Sequence, residues 1–230
     1  MAPHAQTRCR SRGDPFVVDL AIERPLWTRF DPDGDGRPPL PSPPDWSGIF
    51  ARTRPLRVEI GVGRSDFLIR VAQDEPEFNY LGFEYSYKRV KAFLKQVRRQ
   101  GAENIRVVAE NVHYLFDCLF APESVDHFFV LFPDPWPKRR HAKHRFVQRR
   151  NVDIVASVLR PGGGISLRTD DARYAHQMLA VLEAHPALTN LAGRGQLALG
   201  PRHPYATRYQ VKWQEEGRSI YFLEFRRRSS

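Results

Sequence analysis

From Leu56 to about His185 the sequence switches five times between a short apolar run and a stretch whose apolar residues recur every three or four positions. The runs are "LRVEIGVG", "NYLGFEY", "NIRVVAEN", "SVDHFFVLFP" and "GISLRTD". The periodic stretches that follow them are "DFLIRVAQ", "YKRVKAFLKQVRRQG", "VHYLFDCLF", "HRFVQRRNVDIVASVLR" and "ARYAHQMLAVLEAH". Short runs rich in β-branched and aromatic residues make strands, and a 3.6-residue period makes a helix. Strands joined through helices run parallel, and such sheets are covered on both faces. The alternation therefore predicts an α/β fold, a mostly parallel sheet with helices on both sides. A strand near "LTNLAGRG" and a last one in "RSIYFLEFRRR" bring the expected sheet to seven strands. Gly101 is expected to stop the second helix and "PGGG" to close the long fourth one. Ligands in such sheets sit beyond the carboxyl ends of the strands.

The chain has 230 residues, enough for one domain with an extra arm. Residues 1–54 read as that arm, because "DPDGDGRPPLPSPPDW" is dense in Pro, Gly and Asp, which propagate neither helix nor ladder. Residues 55–230 form the domain. Asp31, Asp33, Asp35 and Gly36 match the opening of a calcium-binding loop, but Ser42 stands where the bidentate Glu belongs, so a polar turn is the reading. Cys9 and Cys118 are far apart and build neither a disulfide framework nor a zinc site. No apolar run approaches the roughly 20 residues of a membrane span, and "MAPHAQTRCRSRGD" lacks the apolar centre of a secretory signal. The expected location is cytoplasmic. Lys plus Arg total 36 against 26 acids, a net charge of +10, which favours polyanionic partners.

At the end of the first strand, "EIGVGRSDF" places Glu59, Gly61 and Gly63 at a strand-to-helix turn. Glycine serves where the backbone takes positive φ or a ligand approaches closely. A dinucleotide-binding turn needs a third small residue, and Asp66 occupies that position. An acid before the turn, two glycines and Glu84 after the second strand suit S-adenosylmethionine better than a nicotinamide dinucleotide. Glu84 is placed to hold the ribose diol, and the methionine amine would be drawn to carboxylates near the turn. After the third strand, Asn111 offers an acceptor and donors to an adenine amine, or it caps the segment that follows. The residues leave both roles open.

"FPDPWPKRRHAKHR", Phe132 to Arg145, sits at the end of the fourth strand. Pro133, Pro135 and Pro137 set three φ angles and push the residues before them towards extended geometry. A rigid rod is expected, displaying the Asp134 carboxylate, with Trp136 offering a flat face to a base or to the core. Lys138, Arg139, Arg140, Lys143, Arg145, Arg149 and Arg150 then add seven positive charges with no acid among them. Like charges on neighbouring helical turns repel, and a phosphate partner would relieve them. His141 and His144 lack an accompanying ligand set, so no metal is expected.

These residues resemble the tRNA (guanine-N7-)-methyltransferases. The resemblance runs from about Leu56 to Leu182 and resumes near Thr207; "VEIGVG", "LGFEY", "FPDPWPKRRHAKHR" and "LRPGGGISLRTDDARYA" fall in the family's order. It implies a Rossmann-like class I methyltransferase, acting as monomer or homodimer. The reaction it implies moves a methyl group from S-adenosyl-L-methionine to N7 of a tRNA guanine, the variable-loop guanine at tRNA position 46. By the same resemblance Glu59, Gly61, Gly63, Glu84, Asn111 and Asp134 line the cofactor site, and Asp134 is catalytic. Lys138, Asp170 and the segment Thr207, Arg208, Tyr209 and Gln210 meet the substrate. Three positions depart from the family's pattern: Ser65 replaces a third glycine, Asn111 an acid, and "TRYQ" the family's "TKFE". Two rivals follow: a methyltransferase acting on another nucleic-acid base, since amino-methyltransferases carry a related Asp/Asn-Pro-Pro-aromatic run, and a tRNA-binding homologue with weakened catalysis.

Overall fold

The strand-forming runs pair as the alternation requires, and their parallel order brings the candidate residues that follow them to one edge. The computed structural model describes residues 14–18, 43–112 and 116–229. Its strands are β1 (Val17–Val18), β2 (Leu56–Ile60), β3 (Asn79–Phe83), β4 (Ile105–Val108), β5 (Val125–Leu131), β6 (Leu159–Thr169), β7 (Leu188–Asn190) and β8 (Tyr221–Arg227). They form one sheet in the order β1-β4-β3-β2-β5-β6-β8-β7. All pairs are parallel except those of β8, which inserts antiparallel between β6 and β7. The seven expected strands are all present, and the two-residue β1 adds an edge beside β4.

The helices are α1 (Trp46–Phe50), α2 (Phe67–Asp74), α3 (Tyr87–Gln100), α4 (Arg149–Val158), α5 (Ala172–Glu183) and α6 (Arg208–Glu215). Apolar clusters fill both faces of the sheet. One packs α2 and α3 through Phe67, Val71, Val90, Phe93 and Val97 against Phe129 and Leu131. The other packs α1, α4 and α5 through Phe50, Val152, Val155 and Met178 against Phe128 and Val130. Adjacent β5 residues thus serve opposite cores, the period-2 consequence of a strand buried on both faces. Gly101 ends α3 in the left-handed conformation, as expected.

Two expectations need adjustment. "PGGG" does not close a helix; it lies inside β6 as a bulge, where the pairing slips from Val125–Leu159 to His127–Gly164. A Cβ at Gly163 would meet two backbone carbonyls at 2.9 Å, so only glycine fits that approach. The long fourth helix is shorter than its period suggested: a separate 3₁₀ turn at 139–144 and non-helical residues 145–148 precede α4, and Leu159 and Arg160 already belong to β6. The stretch before Pro55 contributes to the core: Trp46 is buried, stacks on Phe120 and donates its indole N–H to the Leu119 carbonyl at 2.8 Å. The acidic turn at Asp31–Gly36, Cys9 and the residues 113–115 of the expected short helix lie outside the described residues; a 3₁₀ turn covers Phe116–Cys118.

Candidate active site at the carboxyl edge of the sheet

Because β2 to β6 run parallel, the residues that follow each of them gather along one rim. The turn after β2 is hinged at Gly61 and Gly63, with φ of 82° and 59°. Side-chain-bearing residues are strained there, and a Cβ at Gly61 would meet nothing within 4 Å. The turn is therefore glycine for its backbone shape, beside open space a ligand can enter. Ser65 takes no positive φ; its hydroxyl accepts the Phe67 N–H at 3.2 Å, closing a local turn just before the Asp66 N-cap of α2. That explains why a third glycine is dispensable here.

Two acids flank this turn in contrasting states. Glu84, after β3, is buried and accepts the Gly63 N–H at 3.2 Å and the Ser86 N–H at 2.8 Å, which ties the glycine turn to the start of α3. Glu59, in β2, is 2 % exposed and its Oε2 has no hydrogen-bond partner. Burial pushes its carboxyl up from the ordinary 4.5 to about 8, although the Arg168 guanidinium opposes this. An unpartnered buried carboxylate oxygen is costly unless a ligand completes it, and a cationic amine is the group that would. These residues fit a small ligand carrying an ammonium and a diol. Asn111, partly buried, stands three residues after β4. The exposed ring of Tyr85, beside Glu84, adds a flat surface that the sequence pattern did not flag.

The segment after β5 is bent where a straight rod was expected. Phe132 and Trp136 take φ of 53° and 42°, the left-handed region that non-glycine residues avoid. Each precedes a proline, for which the right-handed helical conformation is closed as well. Such strain persists only where the surroundings over-determine it, and they do here. The Phe132 N–H continues the ladder to the Arg168 carbonyl at 2.8 Å. The Arg145 guanidinium donates to the Pro135 carbonyl at 2.7 Å and the Trp136 carbonyl at 3.4 Å. Its remaining nitrogen reaches Gln177 of α5 at 2.8 Å, and its plane lies 4.9 Å above the Tyr174 ring. Asp134 rides on this bracket, exposed and without a hydrogen-bond partner among the described residues.

Arg145 belongs to the basic run in sequence, but its side chain turns inward. What faces solvent is Lys138, Arg140, Lys143, Arg149 and Arg150. If Asp134 aligns the reacting groups, replacing Arg145 with alanine is expected to lower kcat about tenfold, with the substrate KM and its salt dependence nearly kept, since a slight misplacement would spoil alignment. Steady-state kinetics on the purified variant checks this; a loss confined to KM would identify Arg145 as a phosphate contact instead. His141 and His144 ring Trp136 at 5.8 and 5.3 Å between centroids. No group of three or more metal-ligating side chains occurs among the described residues.

The far wall comes from β6 and α6. Asp170 pairs with Arg218 at 2.9 Å. Thr207 caps α6, its hydroxyl accepting the Gln210 N–H at 3.1 Å. Gln210 is buried, and its side-chain oxygen accepts from Arg168 at 2.8 Å. Arg168 also donates to the carbonyls of Tyr205 at 2.6 Å and His203 at 2.9 Å. One buried guanidinium thus pins the strand-to-helix connection to the sheet through its two terminal nitrogens, one of which meets the Gln210 amide oxygen, while its Nε has no hydrogen-bond partner among the described residues. That leaves Arg208 and Tyr209 as the exposed members of "TRYQ", with the Tyr209 ring 6.4 Å from Phe132. The structure therefore brings the predicted residues to one rim, with Thr207 and Gln210 turned towards the protein.

Comparison with known proteins places the chain among methyltransferases. A family described as "Putative methyltransferase" matches residues 53–223. The chain is 41 % identical over 185 residues to the tRNA (guanine-N(7)-)-methyltransferase of Cutibacterium acnes, covering 80 % of this chain and 67 % of that one. It is 37 % identical over 182 residues to the enzyme of the same name from Leifsonia xyli, covering 79 % and 80 %. Among solved structures it is similar to a 30S ribosomal A1408 methyltransferase from an uncultured bacterium, with a TM-score of 0.51 at 12 % identity, covering 78 % of this chain and 91 % of that one.

Proposed function

The chain belongs to the tRNA (guanine-N(7)-)-methyltransferase family, and we infer that it transfers a methyl group from S-adenosyl-L-methionine to N7 of a guanine in tRNA. The observation that carries the mechanism is the clamped, strained bracket that holds an unpartnered Asp134 beside the glycine turn and its two buried acids. Bound S-adenosyl-L-methionine supplies an electrophilic methyl on a sulfonium. Glu59 would take its ammonium, Glu84 its ribose hydroxyls, and Gly61 and Gly63 would let it approach the backbone; Asn111 would meet the adenine.

Guanine N7 carries a free lone pair, so no base has to remove a proton before attack. The chain's contribution is then alignment and electrostatics. Asp134 would accept from the N1–H and N2–H₂ edge of guanine and stabilise the positive charge that grows on the ring as N7 is methylated. Asp170, Arg208 and Tyr209 would line the other side of the base, with Thr207 and Gln210 holding that wall in place. Lys138 and the basic turn would grip the adjoining phosphates. N7 is engaged in the major groove or in a tertiary contact of folded RNA, so the base has to be exposed first.

We take the variable-loop guanine at tRNA position 46 as the target, a finer assignment that rests on the family resemblance. Incubating the protein with unmodified tRNA and methyl-labelled cofactor should place the label in 7-methylguanosine. Borohydride and aniline treatment, which cleaves RNA at that nucleoside, then reads the position. Label in an adenine or cytosine would shift the reading to another base. Absence of label together with cofactor binding would leave an RNA-binding homologue. No helix among the described residues is long and apolar enough to cross a membrane.

A further inference from the structure

We infer that the solvent face of α3 is a second docking surface for the phosphate backbone of the RNA, on the opposite side of the sheet from the basic turn at 138–150. This rests on the tRNA reading above and extends it to a helix that no motif marks. Residues 87–100 carry Lys88, Arg89, Lys91, Lys95, Arg98 and Arg99 and no acid. The inner face is occupied by Val90, Phe93, Leu94 and Val97, which are buried in the core. The period of the helix then forces Lys88, Lys91, Lys95 and Arg99 into one exposed line, with steps of three and four residues. At 1.5 Å per residue this line is roughly 16 Å long.

The local electrostatics oppose such a helix. Three cations, Lys88, Arg89 and Lys91, sit in or beside the first turn, where the helix end is already positive and no acid balances it. Like charges three and four apart repel along the line. Neutralisation is partial: Arg89 reaches the buried Glu84 at 3.8 Å, and Arg98 pairs with Asp14. Lys88, Lys95 and Arg99 have no acidic partner among the described residues. A polyanion laid along the line would remove the repulsion and release its own counterions.

Position selects the occupant. α3 begins three residues after Glu84, so the line starts at the rim that holds the candidate active site and runs away from it. The basic turn starts at the same rim but leads into α4, and Phe146, Val147 and Val152 anchor it to the other core. A base presented to Asp134 would therefore carry its flanking backbone over both faces. This geometry suits a folded RNA straddling the edge better than an acidic protein bound to one side.

The test uses the full chain with Lys88, Lys91, Lys95 and Arg99 all changed to glutamine, which keeps helix propensity. Binding of unmodified tRNA is measured from 50 to 300 mM salt, beside methylation kinetics. We expect KM for tRNA to rise about tenfold or more, and the slope of log Kd against log salt to become shallower by up to about 3.6, near 0.9 for each of four lost phosphate contacts. The loss should fall on KM and leave S-adenosylhomocysteine binding in place. The comparison variant changes Lys138, Lys143 and Arg149 to glutamine. If that variant loses affinity while the α3 variant keeps the wild-type slope and Kd, the inference is overturned and α3 is a solvated face or meets an acidic protein. If the wild-type protein binds no tRNA, the functional reading itself fails.

Discussion

Asp134→Ala is expected to lower the rate of methyl transfer at saturating tRNA and cofactor by about 10²- to 10³-fold, the range for losing one preorganised electrostatic group. Among the described residues the exposed carboxylate makes no hydrogen bond that its removal would break. The fold should therefore survive, with stability within about 0.5 kcal/mol of wild type, as for other surface changes. Asp134→Asn separates the two roles proposed for the group. An amide keeps one acceptor for the guanine edge but lacks the charge that stabilises the methylated ring. If charge dominates, the asparagine variant falls nearly as far as alanine; if hydrogen bonding dominates, it recovers much of the rate. Single-turnover transfer of a labelled methyl group measures both. An alanine variant within threefold of wild type would remove Asp134 from the mechanism, and the strain at Phe132 and Trp136 would need another purpose.

Cofactor affinity is expected to depend on pH through Glu59. Burial raises its carboxyl to about 8, so in the cofactor-free protein it is protonated at pH 7. A ligand ammonium favours the carboxylate, so binding at pH 7 should release a proton and tighten as pH rises towards 8, by about tenfold per unit well below that value. The sign for stability is opposite. A folded-state carboxyl raised above its unfolded value stabilises below the ordinary carboxylate range, and that contribution is lost as pH rises to about 8. The stabilisation conferred by ligand should therefore grow with pH over the same window. S-adenosylhomocysteine is the suitable probe, since it keeps the amine without undergoing transfer. Calorimetric titration in two buffers of different ionisation enthalpy counts the released proton. Glu59→Gln should weaken binding at pH 8 by about 10²-fold, the loss of one buried charged hydrogen bond, and flatten the pH profile. A Glu59→Gln variant that binds as tightly as wild type would place the ammonium elsewhere.

Much of this site could be read in one dimension. The alternation of runs and periodic stretches determined a parallel sheet, because a helix between two strands leaves no other short route. Parallel order in turn determined that Glu59, Glu84, Asn111 and Asp134, each near a strand end, share a rim. Proline spacing marked the segment after β5 as constrained, and the glycine spacing marked the turn after β2. These are local signals: a period, a breaker, a missing Cβ.

What only the tertiary structure decided depends on partners distant in sequence. "PGGG" reads locally as a helix stop, but the helix ends three residues before Pro161, at Val158, and pairing with β5 absorbs the glycines into a bulge. Arg145 looks like any cation in its run; its inward turn exists because Pro135, Trp136 and Gln177 present three acceptors to one guanidinium. Gln210 looks like a lost carboxylate, yet its amide oxygen accepts from one terminal nitrogen of Arg168, 42 positions away, a contact no local pattern reveals. The charge state of Glu59 follows from burial, which no neighbouring residue reveals. Sequence determines which groups arrive at the rim through the periods of the backbone. Which of them face the ligand, and in what protonation state, is set by burial and by long-range hydrogen bonding, and those appear only when the chain is closed on itself.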